Sequence, residues 1–284
     1  MDLRDRFFGA FFGGVLGDVL GMAHEFTLSE HITYDGSIQG GGPFYLDAGD
    51  YTDDTSMTIA LASSLFSRGS DPIDQITRYI SWWQTGKYSV NGHCFDIGTQ
   101  TERALRYYMD HQSFMPESDR SGNGSLMRVS ALSLFGLQMP MNEFNRMVHD
   151  SVITTHNSPE CITYTTRYAH FVRDIILDDT IVMDNIRTIV ANEDVSSYES
   201  HVNGYIHGSY YLSLRGFVET SSFMELMDHM ITLGGDTDTN ACIAGVLGGA
   251  HYGYSSFDPS LLAQITHFDM LYDLCEQLYQ RITL

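Results

Sequence analysis

Near the amino terminus a glycine recurs at every fourth position, at residues 9, 13, 17 and 21. On an α-helix these positions form one ridge, and a ridge without side chains allows a neighbouring backbone to approach closely. The spacing therefore predicts an amino-terminal helix that packs tightly against a second helix. This requirement leaves little freedom in how the two helices can cross.

The remainder of the chain also has helical periodicity. The apolar residues after Thr55 predict a helix that begins within Thr52–Thr55 and ends at Gly69. Further helices are predicted near residues 74–84, 99–110, 125–136, 142–154, 160–178, 180–192, 208–218, 221–231, 239–250 and 259–281. No segment has the convincing alternation of a β-strand. We expect an all-α bundle of many helices, in a single domain that spans residues 1–284.

The charge balance restricts the choice of partners. The chain has 15 Lys and Arg residues against 36 Asp and Glu residues, a net charge of −21. Such a field repels a phosphate backbone, so neither nucleic acid nor an anionic membrane is expected as a partner. The same field opposes a small anionic substrate, and bound divalent cations would be the means of accepting one.

The cysteines and the amino terminus indicate the cellular compartment in which the protein is expected. The four cysteines are far apart and lack the spacing of a zinc site, so reduced thiols are expected. Asp2, Asp5 and Asp18 interrupt the apolar start of the chain, which therefore differs from a signal peptide. We expect no apolar stretch of the ~18–20 residues that a membrane span requires. A soluble, cytoplasmic, monomeric protein is expected.

Two acidic clusters lie where a loop becomes a helix. The first follows a glycine-rich loop over residues 24–51, and the two clusters are Tyr51-Thr52-Asp53-Asp54-Thr55 and Gly234-Gly235-Asp236-Thr237-Asp238-Thr239-Asn240. Asp and Thr are good helix caps, so either cluster alone is equally consistent with capping. Together they offer the oxygen ligands that Mg²⁺, Mn²⁺ or Ca²⁺ requires. The pair of clusters therefore predicts a site that bridges two ions.

Two other interpretations of these clusters fail on spacing. Residues 233–238 superficially resemble the nucleophile loop of haloacid-dehalogenase phosphatases, but Asn240 stands where that loop has Thr or Val. The Asp-Asp-x-x-Asp pattern of all-helical terpene synthases requires a third aspartate at position 57, which is Met57.

Short segments of distinctive composition follow one another along residues 9–253. They are Gly9-Ala10-x-x-Gly13-Gly14-x-x-Gly17-Asp18 through Glu25, Thr52-Asp53-Asp54-Thr55, Asp96-Ile97-Gly98 with Thr101, Gly122-Asn123-Gly124-Ser125-Leu126-Met127-Arg128, Thr155-His156-Asn157-Ser158-Pro159, and Gly234-Gly235-Asp236-Thr237-Asp238-Thr239-Asn240-Ala241. In this order they resemble the ADP-ribosylglycohydrolase family, whose type member is the dinitrogenase reductase-activating glycohydrolase. Each segment alone is weak evidence, whereas the ordered set is highly specific.

The resemblance implies an orthogonal helical fold with a binuclear Mg²⁺ or Mn²⁺ centre. The matching ligands are Thr52, Asp53 and Asp54 for one half of the centre, and Asp236, Asp238 and Thr239 for the other half.

The resemblance also implies residues that act on the substrate. Glu25 matches a family acid beside the metals that is proposed to act in acid–base catalysis, and Asp96 matches an acid near the scissile bond. The remaining matches contact the ribose and diphosphate or line the same cleft, and they are Asn123, Gly124, Ser125 and His156.

Each of these assignments has a plain alternative. Glu25 could be a solvated loop acid, Asp96 could cap the helix that follows it, and His156 could be an ordinary turn histidine. Asn123-Gly124 is a common turn dipeptide. Tyr205 could stack on adenine or pack in the core.

The chemistry of glycosidic cleavage agrees with the resemblance. The reaction passes through an oxocarbenium-like state, in which a metal can orient the sugar while an acid such as Glu25 protonates the leaving group or activates water. The leading hypothesis is release of ADP-ribose from an arginine side chain of a modified protein. The alternatives are serine-linked or other ADP-ribosyl substrates, a non-catalytic relative that binds ADP-ribose, and a metal phosphohydrolase acting on a nucleotide.

Overall fold

The computed structural model describes residues 1–177, 179–193 and 203–283. Most of these residues lie in α-helices and almost none lie in strands, which confirms the predicted all-α class. The helices are α1 (Leu3–Gly21), α2 (Asp53–Arg68), α3 (Pro72–Thr85), α4 (Thr99–His111), α5 (Val129–Phe135), α6 (Met141–Val152), α7 (Pro159–Leu177), α8 (Asp179–Asn192), α9 (Ile206–Glu219), α10 (Phe223–Thr232), α11 (Thr237–Tyr252), α12 (Pro259–Leu262) and α13 (Phe268–Thr283). Two short strands, β1 (Thr27–Leu28) and β2 (Gly234–Gly235), form an antiparallel pair.

The structure departs from the predicted helices in two places. The single helix predicted over 259–281 is wrong, because the chain forms α12 and α13 with a break at which His267 has a φ of 60°. A tertiary contact accompanies this break, since the Thr266 N–H donates to the carbonyl of Gly49 (2.9 Å). The helix predicted over 125–136 begins only at Val129, because residues 123–125 form a 3₁₀ turn.

α1 and α11 pack backbone to backbone along the glycine ridge. A methyl group on Gly13 would overlap the carbonyl of Gly245, and a methyl group on Gly245 would overlap the carbonyl of Gly13. At the end of the ridge, a methyl group on Gly21 would lie 2.6 Å from Cα of Asp238. The glycine spacing therefore sets a close helix crossing, and this crossing brings the last turn of α1 against the first turn of α11.

α1 is enclosed by the other helices. Every residue from Phe7 to Gly21 is buried, and α13 covers one side through aromatic pairs such as Phe12 with Phe268 (5.3 Å between ring centroids). The segment Leu3–His24 is long and apolar enough to cross a membrane by length and composition, so the expectation that no such stretch exists is wrong. Within the fold, 94% of its apolar window is buried, and a helix that is surrounded by protein is apolar on all sides.

Candidate metal centre

The amino-terminal ends of α2 and α11 meet beside the last turn of α1. Asp53 and Asp54 lie in the first turn of α2, and Asp236 is the N-cap residue of α11. One carboxylate oxygen from each of Asp18, Asp54 and Asp238 lies within 4.8 Å of the others. The fold therefore brings the two acidic clusters together, although they are far apart in the sequence.

A second group of carboxylates shares one member with the first. Oxygen atoms of Glu25, Asp236 and Asp238 also lie within 4.8 Å of one another. Asp238 belongs to both groups, and a shared carboxylate is compatible with two ions held close together.

Several buried oxygen atoms of this cluster have no donor from the protein. In the part of the chain that the structure describes, Asp54 Oδ1, Glu25 Oε2 and both carboxylate oxygens of Asp238 lack a hydrogen-bond partner. Buried charges in proteins are paired or coordinate metals. Mg²⁺ and Mn²⁺ prefer carboxylate and hydroxyl oxygens, so the donor set fits divalent cations.

The capping interpretation of the two clusters does not agree with the geometry. Neither Thr52 at the start of α2 nor Asp236 at the start of α11 caps its own helix with its side chain. Both oxygens of Asp238 are free of helix amides. The acids of the two clusters therefore face one another and not the peptide groups of their own helices.

Burial and mutual repulsion raise the pKa values of these acids. Burial is the largest cause for Asp53, Asp54 and Asp238, whose pKa values lie well above the usual range, and neighbouring carboxylates add to it. The same two causes raise the pKa of Glu25 to about 9 and that of Asp96 to about 7. These carboxyl groups cannot all be ionised unless a cation compensates their charge.

Asp18, to which the sequence assigned no role, holds the start of α2. Its carboxylate accepts hydrogen bonds from the backbone N–H groups of Thr52 and Thr55 (both 3.0 Å) and from their hydroxyls (2.9 and 2.6 Å). The Thr52 hydroxyl, predicted as a ligand, thus directs its proton to an aspartate, which leaves a lone pair for a cation. The signal in the sequence is a single aspartate within the apolar second half of α1, and the structure buries it completely.

A cleft of about 360 Å³ opens beside the acidic cluster. Eight of the predicted site residues line it, namely Glu25, Asp53, Asp96, Asn123, Gly124, His156, Asp236 and Thr239. Thr52, Asp54 and Asp238 are not among the lining residues and are fully buried. Ser125 does not line the cleft either, because the 3₁₀ turn directs its hydroxyl to Thr165 (2.8 Å).

Asp96 and Asn123 lie beside the acidic cluster, and the structure shows the role of each side chain there. Asp96 has a φ of 57° and does not cap α4, whose N-cap residue is Gly98. The capping alternative for Asp96 is therefore wrong. Asn123 donates from Nδ2 to Asp236 Oδ2 (2.8 Å) and to Ser209 Oγ (3.0 Å), so it sets the direction of one predicted ligand.

Two aromatic side chains are exposed near the cleft. Phe26 lines it, has a φ of 58° and is 67% exposed, and its N–H donates to the carbonyl of Gly235 (2.6 Å). Sequence reasoning missed Phe26, because a single exposed aromatic residue in a loop has no periodic signal. Tyr205 is 52% exposed, so the alternative that it packs in the core is wrong.

Comparison with known proteins identifies one family along the whole chain. The family model for ADP-ribosylglycohydrolase matches residues 1–284. The chain is 27% identical to the ADP-ribosylarginine hydrolase Tri1 of Serratia proteamaculans, with 97% of this chain and 79% of that protein covered. It is 28% identical to an ADP-ribosyl-[dinitrogen reductase] glycohydrolase of Rhodospirillum rubrum, with coverage of 93% and 91%. A solved structure described as an ADP-ribosylglycohydrolase-related protein complex matches with a TM-score of 0.86 at 28% identity and covers 99% of both chains.

Proposed function

The chain belongs to the ADP-ribosylglycohydrolase family, and on that basis we propose that it hydrolyses the N-glycosidic bond between ADP-ribose and an arginine side chain. The substrate is an ADP-ribosylated protein, and the products are free ADP-ribose and the unmodified arginine. The observation that carries the proposal is the position of Asp238, whose carboxylate belongs to two groups of buried acids at once.

The cluster would hold two divalent cations, Mg²⁺ or Mn²⁺. The residues proposed to hold them are the side chains of Thr52, Asp53, Asp54, Asp236, Asp238 and Thr239. When bound, the cations supply Lewis-acid stabilisation of developing charge and orient the oxygen atoms of the substrate. They also neutralise the field that would otherwise repel a diphosphate.

Glu25 and Asp96 are the candidates for proton transfer. Glu25 is 5% exposed and lies where the acidic cluster meets the cleft. In the ion-free protein, burial and the neighbouring carboxylates raise the pKa of Glu25 to about 9, and bound cations would lower it toward neutral pH, where the carboxyl can donate a proton to the departing nitrogen. The pKa of Asp96 is raised to about 7 in the ion-free protein, and bound cations would favour the carboxylate form that accepts a proton from water. General acid–base catalysis contributes roughly 10²–10⁴ in rate, so orientation of the sugar must contribute at least as much.

Charge supports arginine as the modified side chain. The cleft is lined by Glu25, Asp53, Asp96 and Asp236, and the chain as a whole carries a net charge of −21. A guanidinium group is cationic and is attracted by the negative charge that two divalent cations would leave uncompensated among these acids, whereas a serine hydroxyl is neutral. The relative from Serratia proteamaculans is itself named for action on ADP-ribosylarginine.

Release of ADP-ribose from defined substrates tests the proposal. The purified chain would be incubated with arginine-modified and serine-modified proteins, and the products would be separated by chromatography and identified by mass. We expect intact ADP-ribose from the arginine substrate, loss of release with a chelator, and recovery with Mg²⁺ or Mn²⁺. Asp54→Asn should abolish release, while Asp110→Asn, at an exposed position on α4, should not.

The same assay separates the alternatives. Release from the serine substrate alone would identify the serine-linked activity. Inorganic phosphate or AMP in place of ADP-ribose would identify a phosphohydrolase. Bound ions and ADP-ribose without turnover on either substrate would identify a binding protein.

A further inference from the structure

A buried chain of hydrogen bonds leads from Arg128 to the cleft. Arg128 is 1% exposed, and its Nη2 donates to Thr155 Oγ1 (2.6 Å). Thr155 Oγ1 lies 2.8 Å from Nδ1 of His156, which lines the cleft. Nη1 of Arg128 donates to the carbonyl of Gly124 (2.5 Å). One guanidinium thus holds both the loop of residues 123–125 and the histidine that faces it.

The neighbours of Arg128 give it an unusual setting for a buried cation. Its guanidinium contacts three neutral groups, namely the Gly124 carbonyl, the Thr155 hydroxyl and the ring of Tyr79 (5.1 Å to the centroid). Among the described residues no ion pair joins this guanidinium to a carboxylate, although the charge of Asp53 favours it at longer range, and burial of an unpaired charge is unfavourable for stability. The setting therefore indicates a positioning role for Arg128 in the cleft.

The direction of each hydrogen bond in the chain follows from chemistry. A guanidinium can only donate, so the Thr155 oxygen accepts from Arg128. The Thr155 hydroxyl proton then requires an acceptor, and Nδ1 of His156 lies at hydrogen-bond distance. The reverse arrangement, in which Nδ1 carries a proton, would leave the buried hydroxyl proton unpaired, which is unfavourable.

The opposite edge of the His156 ring faces the cleft. A methyl group on Gly124 would lie 2.9 Å from Nε2 and 2.7 Å from Cε1 of His156, and both residues line the cleft. Burial and the nearby Arg128 hold the pKa of His156 well below its usual range. The ring is therefore neutral, and its one proton is available on the edge that faces the cleft.

We propose that Arg128 and Thr155 are positioning residues that fix His156 as the Nε2–H tautomer, aimed to donate a hydrogen bond to an oxygen of the ADP-ribosyl group. The identity of that ligand rests on the proposed function. A neutral donor suits this position, because an oxygen-rich ligand accepts hydrogen bonds and the ionised carboxylates among the residues that line the cleft cannot donate them.

The tautomer can be read by nuclear magnetic resonance of the full chain with ¹⁵N-labelled histidine. The His156 signals would be assigned from their loss in His156→Asn, and the two nitrogen shifts report which atom carries the proton. The expected result is Nε2–H in the wild type. Thr155→Val removes the hydroxyl at nearly constant shape and should mix the tautomers and weaken ADP-ribose binding by about 10-fold. Thr155→Ser should retain the wild-type tautomer and affinity.

Thr154→Val is the matched control, because Thr154 is equally buried but donates its hydroxyl to the carbonyl of Ser151 (2.6 Å). An Nδ1–H tautomer in the wild type, an unchanged tautomer in Thr155→Val, or a loss of affinity no larger than that of Thr154→Val would overturn the inference. The tautomer measurement requires neither metal nor turnover. If the wild-type chain had neither hydrolase activity nor ADP-ribose binding, the proposed function would be contradicted. The His156 tautomers of the wild type and of Thr155→Val would still show whether Thr155 fixes the ring.

Discussion

Asp18 binds Thr55 through two hydrogen bonds to a single carboxylate oxygen, Oδ2, which accepts from the backbone N–H (3.0 Å) and from the hydroxyl (2.6 Å). Thr55 lies in the first turn of α2, whereas Asp18 lies near the end of α1. The N-cap residue Thr52 provides no side-chain cap of its own. A carboxylate from another helix thus supplies the acceptor that α2 lacks, and it fixes the direction in which the acids of α2 project.

Asp18→Asn should weaken Mg²⁺ binding, because it removes hydrogen bonds that hold the start of α2. The amide loses one acceptor oxygen and places an NH₂ group against the donors of Thr52 and Thr55. We expect a loss of about 1–3 kcal/mol in the free energy of unfolding and a lower affinity for Mg²⁺. Urea unfolding and calorimetric titration with Mg²⁺ measure the two effects.

Asp5→Asn is the matched control for this change. Asp5 also lies on α1, and it accepts hydrogen bonds from the backbone N–H (2.8 Å) and the hydroxyl (2.9 Å) of Ser255. It is not part of the acidic cluster, so its substitution should leave Mg²⁺ affinity unchanged. Equal losses of affinity in the two variants would contradict the role of Asp18.

Asp238→Asn should disable the metal centre without destabilising the ion-free protein. The substitution removes the carboxylate that both groups of acids share. Because a bound metal contributes several kcal/mol of transition-state stabilisation, we expect turnover to fall by at least about 100-fold. In a chelator, loss of an uncompensated buried charge should keep or raise the melting temperature. Asp228→Asn is the control, because Asp228 is exposed on α10. Retention of two bound ions in Asp238→Asn would contradict the proposal that Asp238 is a ligand of both ions.

The stabilising effect of Mg²⁺ should grow as the pH rises. The folded-state pKa values of the proposed ligands Asp53, Asp54 and Asp238 lie well above the usual range, and those of the neighbouring Asp96 and Glu25 are raised to about 7 and about 9. In the ion-free protein their contribution to stability is present below pH ~4 and is lost as the pH rises through the folded-state values. Mg²⁺ binds the deprotonated acids and offsets that loss.

The measurement is the melting temperature with Mg²⁺ and with a chelator, between pH ~5 and ~9. The difference between the two curves should widen steadily toward high pH. A constant difference, or one that narrows, would show that these acids do not titrate as the burial of the cluster implies.

Gly13→Ala should separate the two helices that assemble the site. The added methyl group would overlap the carbonyl of Gly245 on α11, and overpacking of this kind costs about 1–3 kcal/mol or more. Because the same crossing places Asp18 beside Asp238, Mg²⁺ affinity should fall together with the free energy of unfolding. Gly98→Ala is the control for stability, since its methyl group would meet no heavy atom closer than 3.9 Å. An unaltered unfolding free energy in Gly13→Ala would mean that the ridge is not a close crossing.

Much of the candidate site could be predicted because its signals are local. The aspartates at 53, 54, 236 and 238 stand next to the threonines and glycines that start a helix, and this neighbourhood is visible in the chain itself. Ser125 shows the limit of such signals. It lies in the same motif as Asn123 and Gly124, yet the 3₁₀ turn directs its hydroxyl to Thr165, because side-chain direction in a short turn depends on what packs against it.

From the sequence alone came the helical class, the glycine ridge and the two acidic helix starts, since each depends on residue spacing within one element. The tertiary structure alone decided that Asp18 caps a helix other than its own, that Asp238 serves two groups of acids, and that Arg128 reaches His156 through Thr155. These relationships arise where α1, α2, α11 and the turns around the cleft converge. No spacing along the chain encodes them, because the residues concerned become neighbours only after the helices have packed.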